Sequence, residues 1–137
     1  PFEPADLGGI DSGDDPIVMM SQLDGDGDQD WFRFACAEPL LGLADPDFTI
    51  DFEDPIEVCV FLDCQEGGNP TFECPEGTQP DNAPIDNLPG CCITESATFE
   101  VSGPNCPDSS NDDLDVYIRA RNGTAAACTP YSIEYGC

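Results

Sequence analysis

The chain contains no histidine and no lysine, and Arg33, Arg119 and Arg121 are its only cationic side chains. Without histidine the usual general base is missing, and with it the Ser-His-Asp and Cys-His arrangements. Without lysine, Schiff-base chemistry and Ser-Lys dyads are excluded as well. A paired-carboxylate glycosidase survives on composition alone, but acid is so abundant here that its presence carries no signal. The expectation is a non-enzyme. No apolar stretch approaches the ~20 residues that cross a bilayer, so no membrane span is expected. There is also no CxxC pair and no histidine to complete a mixed zinc site. The helical period of 3.6 residues is nowhere sustained, because Pro, Gly, Asp and Asn punctuate the chain every few residues.

What is present is acid and cysteine. Twenty-nine Asp and Glu residues in a chain of 137 give a net charge of −26. Such a surface repels nucleic acid and anionic membrane, concentrates divalent cations and destabilises its own compact state. Bound metal, high salt or a cationic partner must offset that repulsion; an acidic halophile surface is the plainer explanation. Nine cysteines in so short a chain indicate a disulfide scaffold and an oxidising, extracellular setting. The chain starts at Pro1 with neither a basic nor an apolar leader, so an export signal is expected to have been removed or to lie upstream. Cys36, Cys59, Cys64, Cys74, Cys91, Cys92, Cys106 and Cys128 are the expected disulfide cysteines. The adjacent Cys91 and Cys92 should take different partners, and a Cys106–Cys128 bridge would clamp the strand between them. Nine is odd, so one thiol lacks an internal partner. Cys137, at the end, is the natural candidate for a bond to another chain; a lost partner or a buried free thiol are the alternatives.

Seven short segments read as strands: Pro16–Gln22, Trp31–Ala37, Phe48–Glu53, Ile56–Leu62, Ala97–Val101, Leu114–Ala120 and Tyr131–Tyr135. Phe48-Thr49-Ile50-Asp51-Phe52 alternates apolar and polar side chains, as a half-buried antiparallel strand requires. Val58-Cys59-Val60-Phe61-Leu62 is continuously apolar and suits a central strand covered on both faces. The fold class predicted is all-β, a single antiparallel sandwich domain over 1–137, jelly-roll-like and stapled by disulfides. Its N-terminal segment, 1–23, carries the first strand. The turn-rich stretch 63–92 is expected to be a long loop pinned by its cysteines.

In Asp24-Gly25-Asp26-Gly27-Asp28-Gln29-Asp30, carboxylates alternate with glycine over the first half. Calcium takes six to eight oxygens at about 2.3–2.6 Å, which a tight acidic loop can wrap around one ion. An EF-hand is excluded, since its sixth and twelfth positions would be Gln29 and Ala35. The expected site lies at a strand entry: Asp24, Asp26, Asp28 and Asp30, closed by Asp6, Glu3, Asp11, Asp14 or Asp15 of the N-terminal segment. A second acidic turn places Asn111, Asp112, Asp113 and Asp115 before another strand. At 100 times its dissociation constant, calcium at one site adds ~2.7 kcal/mol to stability. Trp31, Phe32 and Phe34 suggest a carbohydrate or peptide platform, but in an alternating strand one face of Trp31 to Phe34 is expected to be core; Arg33 and Arg119 are expected in carboxylate pairs. Asn122-Gly123-Thr124 is a weak glycosylation sequon.

Three stretches together resemble the bacterial pre-peptidase C-terminal (PPC) domain family, of which this would be a cysteine-rich variant: Ala5-Asp6-Leu7-Gly8 with Ile10; Asp28-Gln29-Asp30-Trp31-Phe32-Arg33-Phe34; and Asp113 to Arg119 with Tyr131 to Tyr135. The resemblance implies a secreted jelly-roll-like sandwich without catalytic activity, in some members with calcium between the N-terminal segment and the acidic turn. Cysteine content and the long middle depart from that pattern. Together these features lead to an expected secreted calcium-binding module for adhesion or extracellular assembly, with copies of itself or a matrix polymer as partner. The competing expectation is an accessory substrate-binding domain of a larger secreted hydrolase.

Overall fold

A computed structural model describes residues 3–25, 27–38, 44–107, 111–121 and 128–137. Ten strands follow in order: β1 (Ala5–Asp11), β2 (Ile17–Leu23), β3 (Gln29–Ala37), β4 (Asp47–Phe52), β5 (Glu57–Cys64), β6 (Gln79–Asn82), β7 (Pro89–Ile93), β8 (Ala97–Glu100), β9 (Leu114–Arg121) and β10 (Thr129–Gly136). They form a six-stranded sheet ordered β1-β3-β9-β5-β7-β6 and a four-stranded sheet ordered β2-β10-β4-β8. The predicted all-β, disulfide-stapled sandwich is what forms. One pairing departs from a purely antiparallel arrangement: β1 runs parallel to β3. The N-terminal segment thus supplies two strands, one to each sheet.

Alternation builds the core. Leu114, Val116, Ile118 and Ala120 of β9 face inward beside Val58, Val60 and Leu62 of β5. Phe48, Ile50, Tyr131, Ile133 and Tyr135 meet them from the smaller sheet. Phe34 lies between, its ring 4.6 Å from that of Tyr135 and 6.3 Å from that of Phe48. The other face of β5 is covered too, by a second, smaller core of Cys59, Phe61, Ala83, Leu88 and Cys92, with Trp31 and Tyr117 against it. That explains the unbroken apolar run of β5.

The seven predicted strands appear with ends shifted by one or two residues. β1, β6 and β7 were not foreseen, and the last two occupy the stretch expected to be loop. β6, Gln79-Pro80-Asp81-Asn82, is exposed throughout and has no apolar period to read. It forms because β7 offers an edge, and β7 is held on β5 by covalent and steric fit. Gly90 of β7 lies opposite Phe61, and a Cβ there would run into the Phe61 ring and the Val60 carbonyl. Gly90→Ala is therefore expected to cost about 3 kcal/mol by overpacking, read as a lowered denaturant midpoint at unchanged slope.

Four disulfides close: Cys36–Cys137, Cys59–Cys92, Cys64–Cys106 and Cys74–Cys91. Cys91 and Cys92 take different partners, as bridge geometry requires. Two expectations are corrected. Cys137 bonds within the chain, to Cys36, because the ends of β3 and β10 meet with Cα atoms 5.7 Å apart. Cys128, expected to join Cys106, is instead the free and exposed thiol. Cys106 bonds to Cys64, which pairs with Leu114 at the start of β9, whereas Cys128 lies beside Asp24 near the far end. Eight residues of strand span roughly 25 Å, beyond any bridge.

Candidate functional site

Because inward residues alternate with outward ones, Arg33 of β3 and Arg119 and Arg121 of β9 all point away from the main core, on the outer face of the larger sheet. Each finds acid there. Arg33 Nη2 is 2.8 Å from Asp115 Oδ1, and its Nη1 is 3.7 Å from Asp6 Oδ1. Arg121 Nε is 2.6 Å from Glu57 Oε1. Arg119 is only 3% exposed. Its Nη2 lies 2.8 Å from Glu57 Oε1, 3.4 Å from Asp81 Oδ2 and 3.1 Å from Cys59 Sγ. The guanidinium also sits over the Trp31 and Phe61 rings, 5.7 and 5.2 Å from their centroids. The expected carboxylate pairing of Arg33 and Arg119 is present, and the aromatic seat of Arg119 is an addition.

The carboxylates nominated for calcium are engaged in other ways. Asp28 Oδ2 accepts the Asp24 N–H at 2.7 Å, closing the turn, and Asp24 Oδ1 accepts Gln22 Nε2. Asp30 turns inward, where its Oδ2 accepts the Tyr131 hydroxyl at 2.5 Å and the Ser21 hydroxyl at 3.2 Å, joining the two sheets. Burial, then the Asp30 carboxylate, pushes the Tyr131 hydroxyl well above its ordinary range. It stays protonated and serves as a donor. Asp112 accepts the Cys106 N–H and Asp113 the Glu38 N–H. Asp115 binds Arg33 and Gln65, while Asp6 accepts the Gly8 N–H and faces Arg33. In the N-terminal segment, Asp14 Oδ2 accepts the Asp11 N–H. Asp26 and the Asn122 sequon lie outside the described residues.

Among the described residues, the one group with three ligand atoms within 4.8 Å of one another is Glu57, Cys59 and Cys92. Its two sulfurs are joined to each other, and the Arg119 guanidinium sits against it. A cation does not fit there. Nor do the described carboxylates of the two acidic turns build a closed calcium cage; they close turns, cap backbone N–H groups and hold Arg33.

Unneutralised acid lies on the other sheet. Its outer face carries Asp47 and Asp51 of β4, Glu134 of β10 and Glu100 of β8, with none of the three arginines. Asp47 stands opposite Glu100 and beside Gly136, so close that a Cβ at Gly136 would be 2.8 Å from its carboxylate. Burial, then repulsion from Glu100 and Glu134, raises the Asp47 carboxyl above its usual range. Asp63, on the other sheet, is raised by burial and by Asp115 and Asp86. A carboxyl with a raised folded-state value stabilises fully below its unfolded value, and that contribution is lost as pH climbs through the folded one. Both groups therefore oppose folding at neutral pH. Scanning calorimetry from pH 7 downward is expected to show these two groups favouring a higher melting temperature as pH falls toward the ordinary carboxyl value of 3.8, with Asp47→Asn removing its share.

No family model, curated protein or solved structure matches this chain. Sequence reasoning missed one surface feature. Ile17, Val18 and Met20 of β2 are 41%, 58% and 77% exposed. Beside them opens a cleft of about 410 Å³ between Met20, Phe52, Pro130 and Tyr131, with Asp51 and Glu53 on its β4 side. The signal was available: Pro16 to Leu23 holds no charged residue in a chain of net charge −26.

Proposed function

We propose that this chain is a secreted, non-catalytic β-sandwich module for adhesion or extracellular assembly, with calcium as an exchangeable counterion at its acidic outer face. Four disulfides place the fold in an oxidising compartment, and the resemblance to the pre-peptidase C-terminal domain makes a bacterial exterior the reading we adopt. One observation carries the proposal. All three cationic side chains gather on the outer face of the larger sheet, so Asp47, Asp51, Glu100 and Glu134 have no cationic side chain on their own face. Such a face holds divalent ions, which relieve its repulsion and can be shared with a second acidic surface.

The test is light scattering coupled to size exclusion, with a parallel melting scan, in calcium and in EDTA. Calcium is expected to raise the melting temperature and the associated fraction, and excess sodium to reproduce only part of the gain. A chain that stays monomeric and melts identically in both conditions overturns the proposal.

A further inference from the structure

We propose that β2 is a docking edge for β2 of a second copy of this chain, the two strands pairing antiparallel to join their four-stranded sheets into one of eight. The inference rests on the assembly reading above and gives it a contact surface. The two sheets leave four edge strands: β1, β6, β2 and β8. An open edge templates further strand pairing unless something blunts it, and charge, proline, bulges or shortness are the usual devices. Three edges here carry such devices. β1 holds Asp6 and Asp11 and breaks register between Asp6 and Gly9. β6 is four residues long and contains Pro80 and Asp81. β8 is four residues long and ends in Glu100. β2 has none. Its seven residues contain no charge and no proline, and its register with β10 is unbroken from Ile17 to Leu23.

The large apolar side chains exposed among the described residues are Ile17, Val18 and Met20, all on this one strand. The neighbouring strand continues the neutral strip along Met19 to Leu23, since their partners Thr129 to Ile133 of β10 are also uncharged, while Glu134 stands opposite Val18. Charge selects the occupant. A cationic partner gains most where carboxylates crowd, and β2 itself offers it none. A second copy, also at −26, is repelled across most of its surface and least along this neutral edge. Strand pairing is self-complementary under a two-fold axis. An antiparallel pairing centred on Met19 places Val18 opposite Met20 of the second copy, on the same outer face, in both halves at once. The contact closes as a dimer, so any longer polymer needs another surface.

Sedimentation velocity on the full chain over a concentration series, in calcium and in EDTA, tests this with Met20→Glu and with Gln79→Glu on the β6 edge as a charge-matched control. Both positions are exposed, and unchanged melting temperatures verify the folds. Wild type is expected to dimerise, Met20→Glu to weaken association about 100-fold by setting carboxylates into the contact, and Gln79→Glu to leave it within about threefold. Hydrogen exchange should show the amides of residues 17–23 gaining protection with concentration. If Met20→Glu associates like wild type, or Cys128→Ser abolishes association in its place, the edge is not the contact and assembly stands by another route. Concentration-independent protection of those amides means the chain covers its own edge, which also overturns the inference. A monomer at every concentration, with and without calcium, removes both this inference and the assembly reading.

Discussion

Cys36→Ala with Cys137→Ala is expected to lower stability by about 4–5 kcal/mol, the largest loss from any one bridge. The two residues are 101 apart in sequence, so the link closes nearly the whole chain into one loop. In the chain-entropy account a loop of about 100 residues stabilises by roughly 4.7 kcal/mol, against about 3 kcal/mol for a loop near 15. The Cys74–Cys91 bridge, 17 residues apart, is the internal comparison. Cys36 ends the inner side of β3 in the larger sheet, while Cys137 follows β10 in the smaller one. The bond therefore also ties the two layers together against the repulsion of −26 charges. Domains of this size hold only about 5–15 kcal/mol in total, so the double variant should populate unfolded chain at moderate temperature. Guanidinium titration decides the matter: a smaller loss than that of Cys74→Ala with Cys91→Ala would show that loop length does not govern these bridges. Because guanidinium screens charge, a urea titration should show a larger difference from wild type.

The parts of the fold legible in the sequence are those where side-chain alternation is strong. β4, β5, β9 and β10 carry inward apolar residues at every second position or an unbroken apolar run, and burial rewards only one register for such strands. β6 has no such pattern, since it is an exposed edge made by its neighbour. β7 hides behind Pro89 and Gly90, residues that usually argue against a strand; Gly90 is here required by the close approach of Phe61. Disulfide connectivity was out of reach because the bridges join residues brought together only by the pairing of strands, as Cys59 and Cys92 are across β5 and β7, and that pairing depends on strand order.

The candidate site divides in the same way. That three cations among so many acids would be paired followed from composition alone. Which acids they choose did not, because Arg33 meets Asp6 and Asp115 through the parallel β1–β3 and antiparallel β3–β9 pairings. The Asp24–Asp30 turn illustrates the limit most sharply. Alternate carboxylates in sequence suggest a common centre, but β3 begins at Gln29, so Asp30 falls on the inward side, toward Tyr131, while Asp28 remains in the turn. Strand pleat separates what spacing had grouped.

Arg119→Met is expected to cost about 3 kcal/mol, the largest loss from a single charged residue. Its side chain is 4% exposed, yet it faces Glu57 and Asp81, which are 25% and 45% exposed. Removing one partner of a fully buried pair typically costs 3–5 kcal/mol, because the remaining charge is stranded. Here the stranding is incomplete, since Glu57 keeps Arg121 at 2.6 Å and Asp81 can return to water, so the lower end applies. Met restores some of the lost packing on Trp31 and Phe61, but not the hydrogen bonds to Glu57 and Asp81, nor the cation over the two rings. Arg33→Met gives the contrast: its side chain is 32% exposed and its ion pairs should matter by less than about 1 kcal/mol. Trp31 is the only tryptophan, so its emission reports the loss of the guanidinium directly and separates a local change from global unfolding. Among the described residues Arg119 Nε has no hydrogen-bond partner, and an apolar side chain would relieve that desolvated donor. A neutral or stabilising Arg119→Met would mean that the desolvation penalty already cancels the ion pairs, leaving the second core to rest on Phe61, Leu88 and the Cys59–Cys92 bridge.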